Sequence, residues 1–425
     1  MSLLLWLALA VAPAFAAEGM APLPPAAPAA RELAWEDCVA IAAEKNPSLV
    51  SSQYAKGASR ASYLKSFNGL LPTLSLSNSY SSSKGSEGRA SYSASASAGL
   101  TLFDMGDIAS IRSAAAGYSQ AEAGLRQASA SLRYSLRQAF VEAYMAERNV
   151  EVARKILEIR GGNAERVALK YQSGKEYKGS MLSAQAQALR AQAGLASALR
   201  GLRTARRGLD QQLGLDDFTE VAATGTLTAA APPELPADLS ALVDGRPDVL
   251  LQEAVIRSQR ASVASARSTL WPTLSASYSR TRGGDTEFPS ATYGWSAGAV
   301  LSLPVFGSGP TSTYFAVSGA KRNLEKAQQD LRAARNAALV DLEESWAAYA
   351  DAADGLRVAE AVRESARQRN AEAEIRYASG LLSFDNWEVI VGEWVNAEQS
   401  ALQARSAAVT AQAAWEKALG KALGE

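Results

Sequence analysis

Hydrophobic and polar residues alternate strictly over four short stretches of the chain. In 90–102, Tyr92, Ala94, Ala96, Ala98, Leu100 and Leu102 interleave with Ser91, Ser93, Ser95, Ser97, Gly99 and Thr101. A period of two predicts a strand with one apolar face and one small, polar face. The same rhythm sets Leu74, Leu76 and Tyr80 opposite Ser75, Ser77 and Ser79, and Leu274, Ala276 and Tyr278 opposite Ser275, Ser277 and Ser279. A fourth run sets Tyr293, Trp295, Ala297, Ala299, Leu301 and Leu303 opposite Thr292, Gly294, Ser296, Gly298 and Ser302. Strands are therefore predicted at about 72–82, 90–103, 272–282 and 291–303, forming two hairpins around polar, glycine-rich loops.

A longer period governs the rest. Small or apolar residues fall at Leu132, Leu136, Ala139, Ala143, Ala146, Val150, Ala153 and Leu157, an alternating four-and-three spacing that makes a heptad seam. Ala338, Leu342, Ser345, Tyr349, Ala352, Leu356 and Ala359 repeat it. A helix over 107–170 would be about 95 Å long at 1.5 Å per residue. The shorter helices predicted at 35–67 and 176–213 are each near half that length, so two stacked end to end match one long helix.

The chain is written twice. "LLPTLSLSNSYS" at 70–81 answers "LWPTLSASYSRT" at 270–281, and "KNPSL" at 45–49 answers "GRPDV" at 245–249, with Pro47 and Pro247 in register. "LKYQSG" ends at Gly174 and "IRYASG" at Gly380, and each repeat closes on Leu-Gly, at Gly214 and Gly420. The organisation read from this is a first repeat over 35–214, a linker over 215–244 and a second repeat over 245–420.

On alternation alone, the hairpins fit a soluble sheet as well as a membrane one. Two details favour lipid. The strands have the roughly 9 to 11 residues of a tilted membrane strand, and Tyr80, Tyr92, Tyr278, Tyr293 and Trp295 cluster toward the hairpin loops, where an interfacial aromatic girdle would sit. Four strands cannot close a barrel, and an open edge in lipid leaves backbone groups unpaired at several kcal/mol each. Closure has to come from further copies: two give eight strands with a filled interior, three give twelve with a lumen.

Composition narrows the chemistry. Lys+Arg and Asp+Glu are equal at 43, so nothing favours a nucleic-acid partner. Histidine is absent and cysteine occurs once. The usual zinc and Cys/His catalytic sets are thereby excluded, as is any disulfide within the chain. No metal, cofactor or enzymatic activity is expected. The lone Cys38 reads either as a small buried residue or as a reactive thiol. At the start, "MSLLLWLALAVAPAFAAEG" is apolar but too short to span a bilayer, and Ala14-Phe15-Ala16 has the form of a cleavage site. Residues 1–17 are expected to be an export signal and 18–34 a flexible or extended Pro/Ala-rich leader.

The segment "GRPDVLLQEAVIRSQRASVASARSTLWPTLSASYS" at 245–279, with "NPSL" in the first repeat and the two Y-x-S-G turns, resembles the TolC family of outer-membrane efflux proteins. The resemblance covers about 35–420. It implies an α+β membrane protein: a homotrimer whose twelve strands, four per protomer, form one transmembrane β-barrel continued by a long periplasmic α-helical coiled-coil barrel. It implies a passive exit duct in the outer membrane of a Gram-negative bacterium, in a tripartite efflux or type I secretion system. The partners implied are outer-membrane lipid, a periplasmic adaptor (membrane fusion) protein and an inner-membrane pump of the RND, ABC or MFS class. The competing reading is a soluble periplasmic coiled-coil or adaptor-like protein.

Candidate sites follow from combining the two. Arg246-Pro247-Asp248 reads as a helix start, with Pro in the first turn and Asp near the positive helix end. The turns holding Ser173, Gly174 and Lys175, and Ser379, Gly380, Leu381 and Leu382, are expected at the periplasmic tips where an adaptor docks. Read blandly, they are solvated inter-helix turns. Some members of the family place aspartates six and nine positions after the second turn glycine. Here those positions are Asn386 and Val389, with Asp385 and Glu388 as neighbours. These four are the candidate pore constriction.

Overall fold

The computed structural model describes residues 31–83, 89–215, 221–225, 227, 229–236, 238–284, 292–304, 309 and 311–424. The expected export signal and most of the leader lie outside the described residues. In chain order the first repeat holds β1 (Arg31–Leu33), α1 (Trp35–Lys45), α2 (Pro47–Lys65), β2 (Thr73–Ser83), β3 (Arg89–Phe103), α3 (Met105–Gln172) and α4 (Lys178–Leu213). Next come β4 (Val221–Ala223) and α5 (Ser240–Asp244), followed by α6 (Pro247–Ser268), β5 (Thr273–Gly284), β6 (Thr292–Ser302), α7 (Ser312–Ala378) and α8 (Phe384–Ala418).

The helix expected over 35–67 is two helices. Pro47 at the first position of α2 has no N–H to continue α1 and its ring crowds the preceding turn. Asn46 is accordingly extended (φ −63°, ψ 119°). Its Oδ1 caps α2 by accepting from the Ser48 and Leu49 amides at 3.0 and 3.1 Å. The leader does not run free up to residue 34: Arg31–Leu33 pairs in parallel with Val221–Ala223, bringing Leu33 beside the linker strand.

Both heptad seams form and run past their predicted ends. In α3 the buried positions continue from Val150 through Ile156, Arg160, Asn163 and Val167. In α7 the face carrying Ala338, Leu342 and Tyr349 is buried again at Ala373 and Tyr377 near the far end. The 68 residues of α3 make a rod of about 100 Å.

Each long helix is matched by two short ones joined end on. α4 ends at Gly214 in the left-handed conformation (φ 72°), and a Cβ there would fall on the Lys45 carbonyl and lie 2.8 Å from Asn46 Cα. The Asn46 amide donates to the Gln212 carbonyl at 2.8 Å, so one side chain caps α2 and ties the end of α4 to it. The second repeat builds the same joint from a different residue. Gly420 (φ 77°) sits where a Cβ would come within 2.8 Å of Pro247 Cδ. Arg246, the N-cap of α6, donates to the Ala418 carbonyl at 2.9 Å and ion-pairs with Asp248 and with Asp341 of α7.

Around these joints lies the main apolar packing. Cys38, Leu136, Phe140, Leu209, Leu213 and Val221 share one cluster, and Val249, Leu342, Tyr349 and Trp415 another. The linker is laid across the second: the Tyr349 hydroxyl donates to the Ala230 carbonyl at 2.7 Å, and Trp346 Nε1 to the Pro233 carbonyl at 2.8 Å. Cys38 is fully buried, and burial, with Asp37 and Glu36 nearby, pushes its thiol up to about 12. Of the two readings, the small buried residue is the one observed.

The four long strands form one antiparallel sheet in the order β2-β3-β5-β6, so the two hairpins join through β3 and β5. β2 and β6 are its open edges. Among the described residues no helix is long and apolar enough to cross a membrane.

Two predictions test the joint. Gly214→Ala should destabilise the protein by about 2 kcal/mol or more, because backbone strain and a collision with Lys45 and Asn46 coincide. Gly174→Ala, equally left-handed but with nothing within 4 Å, should cost about 1 kcal/mol; heat-denaturation midpoints in detergent compare the two. The second concerns Asp210 in the last turn of α4, a buried carboxylate with no hydrogen-bond partner on either oxygen among the described residues. Burial raises it to about 6, against an opposing pull from Arg207. A raised folded-state acid destabilises the fold when ionised, a cost fully present above pH 6 and absent below the unfolded value near 4. Asp210→Asn should therefore raise the denaturation midpoint at pH 7.5, and its advantage should shrink as pH falls from 6 to 4.

Candidate functional site

Strand alternation gives the sheet two chemically different faces. On one, serines face each other across neighbouring strands: Ser75 and Ser97 at 2.7 Å, Ser77 and Ser95 at 2.7 Å, Ser81 and Ser91 at 2.9 Å, Ser279 and Ser296 at 3.0 Å. These hydroxyl pairs satisfy one another without closing off the surface to water. The other face carries Leu74, Leu76, Tyr80, Ala96, Ala98, Leu100, Ala276, Tyr278, Trp295 and Leu301 in register. Leu76, Trp295 and Leu301 are 78, 68 and 69 % exposed in the single chain, an apolar surface that needs a non-aqueous neighbour.

The expected girdle residues fall on this face toward the hairpin loops. Tyr80 and Tyr92 are cross-strand partners with rings 5.0 Å apart, and Tyr293 and Trp295 stand in β6 opposite Arg282 and Arg280. Tyr278 lies lower, opposite Ala98 and Ala297. The sequence reading missed a second aromatic group at the other end of the strands. Trp271 and Phe103 approach to 6.5 Å, and exposed Tyr314 and Phe315 meet edge to face at 5.3 Å where α7 begins. A cluster of exposed aromatics flanking a strand start was the available signal. It also missed Arg280 and Arg282, which continue the Leu274, Ala276, Tyr278 alternation.

At the other end of the long helices the two turns are built alike. The Gly174 and Lys175 amides donate to the Tyr171 and Lys170 carbonyls, and the Gly380 and Leu381 amides to those of Tyr377 and Arg376. Both are paired reverse bonds around a left-handed glycine (φ 72° and 78°). The turns are held to each other. Lys170 Nζ lies 3.7 Å from the Tyr377 ring centroid and donates to the Tyr377 carbonyl at 2.9 Å, while the Tyr377 hydroxyl reaches Glu176 at 3.4 Å. The Tyr377 ring stacks on Trp387 at 4.2 Å, with Phe384 edge-on to both. Burial, then the Glu176 charge, raises the Tyr377 phenol to about 12.

Beyond this knot, Ser173, Lys175, Ser379 and Leu381 are exposed, Leu381 by 80 %. Leu382 is half-buried against the aromatic cluster. The four candidate constriction residues separate. Asp385, Asn386 and Val389 are exposed at the start of α8. Glu388 instead turns inward, and both its oxygens accept from Arg160 Nη1 of α3, at 2.8 and 2.6 Å. Arg160 is 7 % exposed, so Glu388 serves as its counter-charge. One position around a helix is about 100°, which is why Glu388 and Val389 meet different surroundings.

Residues 39–215 and 239–421 match the model of the outer membrane efflux protein family. The chain belongs to that family. This efflux protein also shares its fold with solved structures, each under 25 % identical. A membrane protein from Pseudomonas aeruginosa is 20 % identical at a TM-score of 0.82, covering 91 % of this chain and 93 % of that one. The Campylobacter jejuni CmeC outer membrane channel is 17 % identical at 0.81, covering 91 % and 85 %. The open state of the Neisseria gonorrhoeae MtrE outer membrane channel is 22 % identical at 0.78, covering 92 % and 89 %. None of the curated proteins matches it in sequence. The efflux protein is an outer-membrane exit duct, its open four-stranded sheet one third of a trimeric twelve-stranded barrel continued by the helices. The soluble adaptor-like alternative is set aside by the family match.

The Arg160–Glu388 pair should couple measurably. In a double-mutant cycle with Arg160→Met and Glu388→Leu, each single change should cost more than the pair together, with an interaction energy of at least about 1 kcal/mol. The exposed Arg322–Glu325 pair treated the same way should show about 0.5 kcal/mol or less.

Proposed function

We propose that the two tied turns are the docking end of a passive duct. They meet a periplasmic adaptor protein, which joins the efflux protein to an inner-membrane pump of the RND, ABC or MFS class. The observation that carries this is the mutual fastening of the turns through Lys170, Tyr377 and Glu176, which presents Ser173, Gly174, Lys175, Ser379, Gly380 and Leu381 as one surface. That surface lies a full length of α3 from the sheet, about 100 Å, at the end that faces away from the outer membrane. An exposed leucine and flanking small residues suit packing against another helical hairpin tip. Asp385, Asn386 and Val389 line the narrow end, and Glu388 does not contribute its charge there. The duct performs no reaction of its own, and energy and cargo choice rest with the pump.

A photocrosslinking residue at Leu381, which is more exposed than Leu382, should capture a periplasmic protein with a coiled-coil hairpin in living cells. The same probe at Ala297 on the apolar sheet face should not. Capture of soluble periplasmic proteins at Ala297, with nothing at Leu381, would reverse the assignment of the two ends.

A further inference from the structure

Two helices flank the lower half of the protomer. α4 packs on α3, α3 on α8 and α8 on α7, so α4 and α7 each keep one side without a neighbouring helix. Both of these sides carry a second heptad seam. On α4 it steps by four and three from Leu182 through Leu189 and Ala196 to Arg200 and Arg203, all exposed. It lies two positions, about 200°, around the helix from the buried Ala184 and Ala198, and Ala184 shares a cluster with Val167 of α3. On α7 it steps from Val340 through Glu344, Ala347, Asp351 and Val358 to Ile375, again all exposed. Here it lies two positions from Leu342 and Tyr349, which pack with Trp415 of α8. The α4 seam carries arginine and no acid, and the α7 seam carries acid and no Lys or Arg. Among the described residues, Arg200, Arg203, Glu344 and Asp351 form no ion pair.

Ring closure brings the two seams together. α4 stacks on α2, which leads to the β2 edge of the sheet, and α7 follows directly from the β6 edge. Where β6 of one copy meets β2 of the next, α7 meets the next copy's α4. The duplication supplies the register. Gly174 and Gly214 bracket α4 as Gly380 and Gly420 bracket α8, 206 positions further on in each case. The α7–α4 contact between copies is thus the counterpart of the α3–α8 contact within one. That contact pairs Arg160 with Glu388 and Arg133 with Glu416. Shifted by one repeat, the same register sets Ala366 level with Leu182 of the next copy and Leu339 level with its Asp210. Arg200 and Arg203 then stand beside the stretch 344–351. Within a copy the equivalent contact is apolar, with Val141, Met145 and Val409 in one cluster. Between copies those three positions are Ala347, Asp351 and Arg203.

We propose that Arg200 and Arg203 of each copy form ion pairs with Glu344 and Asp351 of the next, holding α4 against α7 and admitting only a chain with the matching charges. Both seams face water until the ring closes, so charge keeps the unassembled chain soluble where leucine or valine would expose it to wrong contacts. Opposite charges across the seam then fix register and partner, and another duct protein without them is repelled. The proposal rests on the trimeric ring and adds the surface and the charges that choose its members.

The test uses the full-length protein in non-ionic detergent, with trimer and monomer counted by native mass spectrometry after mild heating. Arg200→Glu/Arg203→Glu should raise the monomer fraction at least about tenfold, as should Glu344→Arg/Asp351→Arg. Combining all four changes should restore the trimer. Raising salt from about 50 mM to about 1 M should release monomer from the unmodified protein and have little effect on Arg200→Gln/Arg203→Gln. That neutral variant carries the test if the reversed ones fail to fold. A quadruple variant no better than either double, or equal salt response with and without the arginines, overturns the ion pairs. The contact face is read separately: Ala186→Cys/Ala361→Cys, both on the seams, should be joined between copies by a short bis-maleimide. Trimers that form without this crosslink overturn the α7–α4 face, and crosslinked trimers indifferent to charge reversal overturn the ion pairs alone.

Discussion

In hydrocarbon, each backbone N–H or C=O without a partner costs several kcal/mol, and β2 and β6 each present a row of them. One chain supplies four strands and therefore two such edges. Pairing the β2 edge of one copy with the β6 edge of the next removes both, and with three copies the ring closes at twelve strands, wide enough for a lumen. The hydroxyl pairs of the serine face then line a wet interior, and the Leu, Ala and aromatic face meets lipid. Association of copies is thus a consequence of the two unsatisfied edges, and a lumen follows from closing the ring with three copies instead of two.

The helices must continue that ring as a tube of even wall. Next to the sheet a protomer contributes four helices, α2, α3, α6 and α7, and a uniform wall needs as many helix positions beyond the starts of α2 and α6. The end-on joints supply them: α4 meets α2 at Gly214 against Asn46-Pro47, and α8 meets α6 at Gly420 against Arg246-Pro247. Proline starts the upper helix without needing an amide partner, and glycine ends the lower one with no side chain to hold the backbones apart. The two repeats use different residues for the tie, an amide in the first and a guanidinium in the second. The arginine also reaches Asp341 of α7, which locks the joint to its long neighbour. The RPD motif is thereby a mechanical part of the joint.

The tips invert the logic of the sheet. There the protomer ties its own turns together through the Tyr377–Trp387 stack and Lys170, and spends Glu388 on Arg160, leaving short polar and apolar residues outside. Strong internal bonds with a plain exterior suit a surface that has to be presented rigidly.

Much of this was legible beforehand. The period of two marked the sheet through residues such as Ala94, Ala96 and Ala98, and the four-and-three spacing marked α3 and α7, because backbone geometry imposes those periods on any residue that must face a core. Pro47, Pro247, Gly214 and Gly420 marked the joints, because few residues tolerate those backbone positions. Other features depended on which distant residues the fold brings together. Glu388 meets Arg160 from 228 positions away, three residues of the leader find Val221–Ala223, Asp210 loses its water, and Arg280 acquires Trp295 as a neighbour only through strand register. The sequence by itself determined the four long strands, the long helices and their faces, which follow from local sterics and the spacing of side chains. Only the tertiary structure decided where each charge is neutralised and which of two adjacent residues faces a partner, because electrostatics acts through space and a rotation of one helical position or one strand residue changes the surroundings entirely.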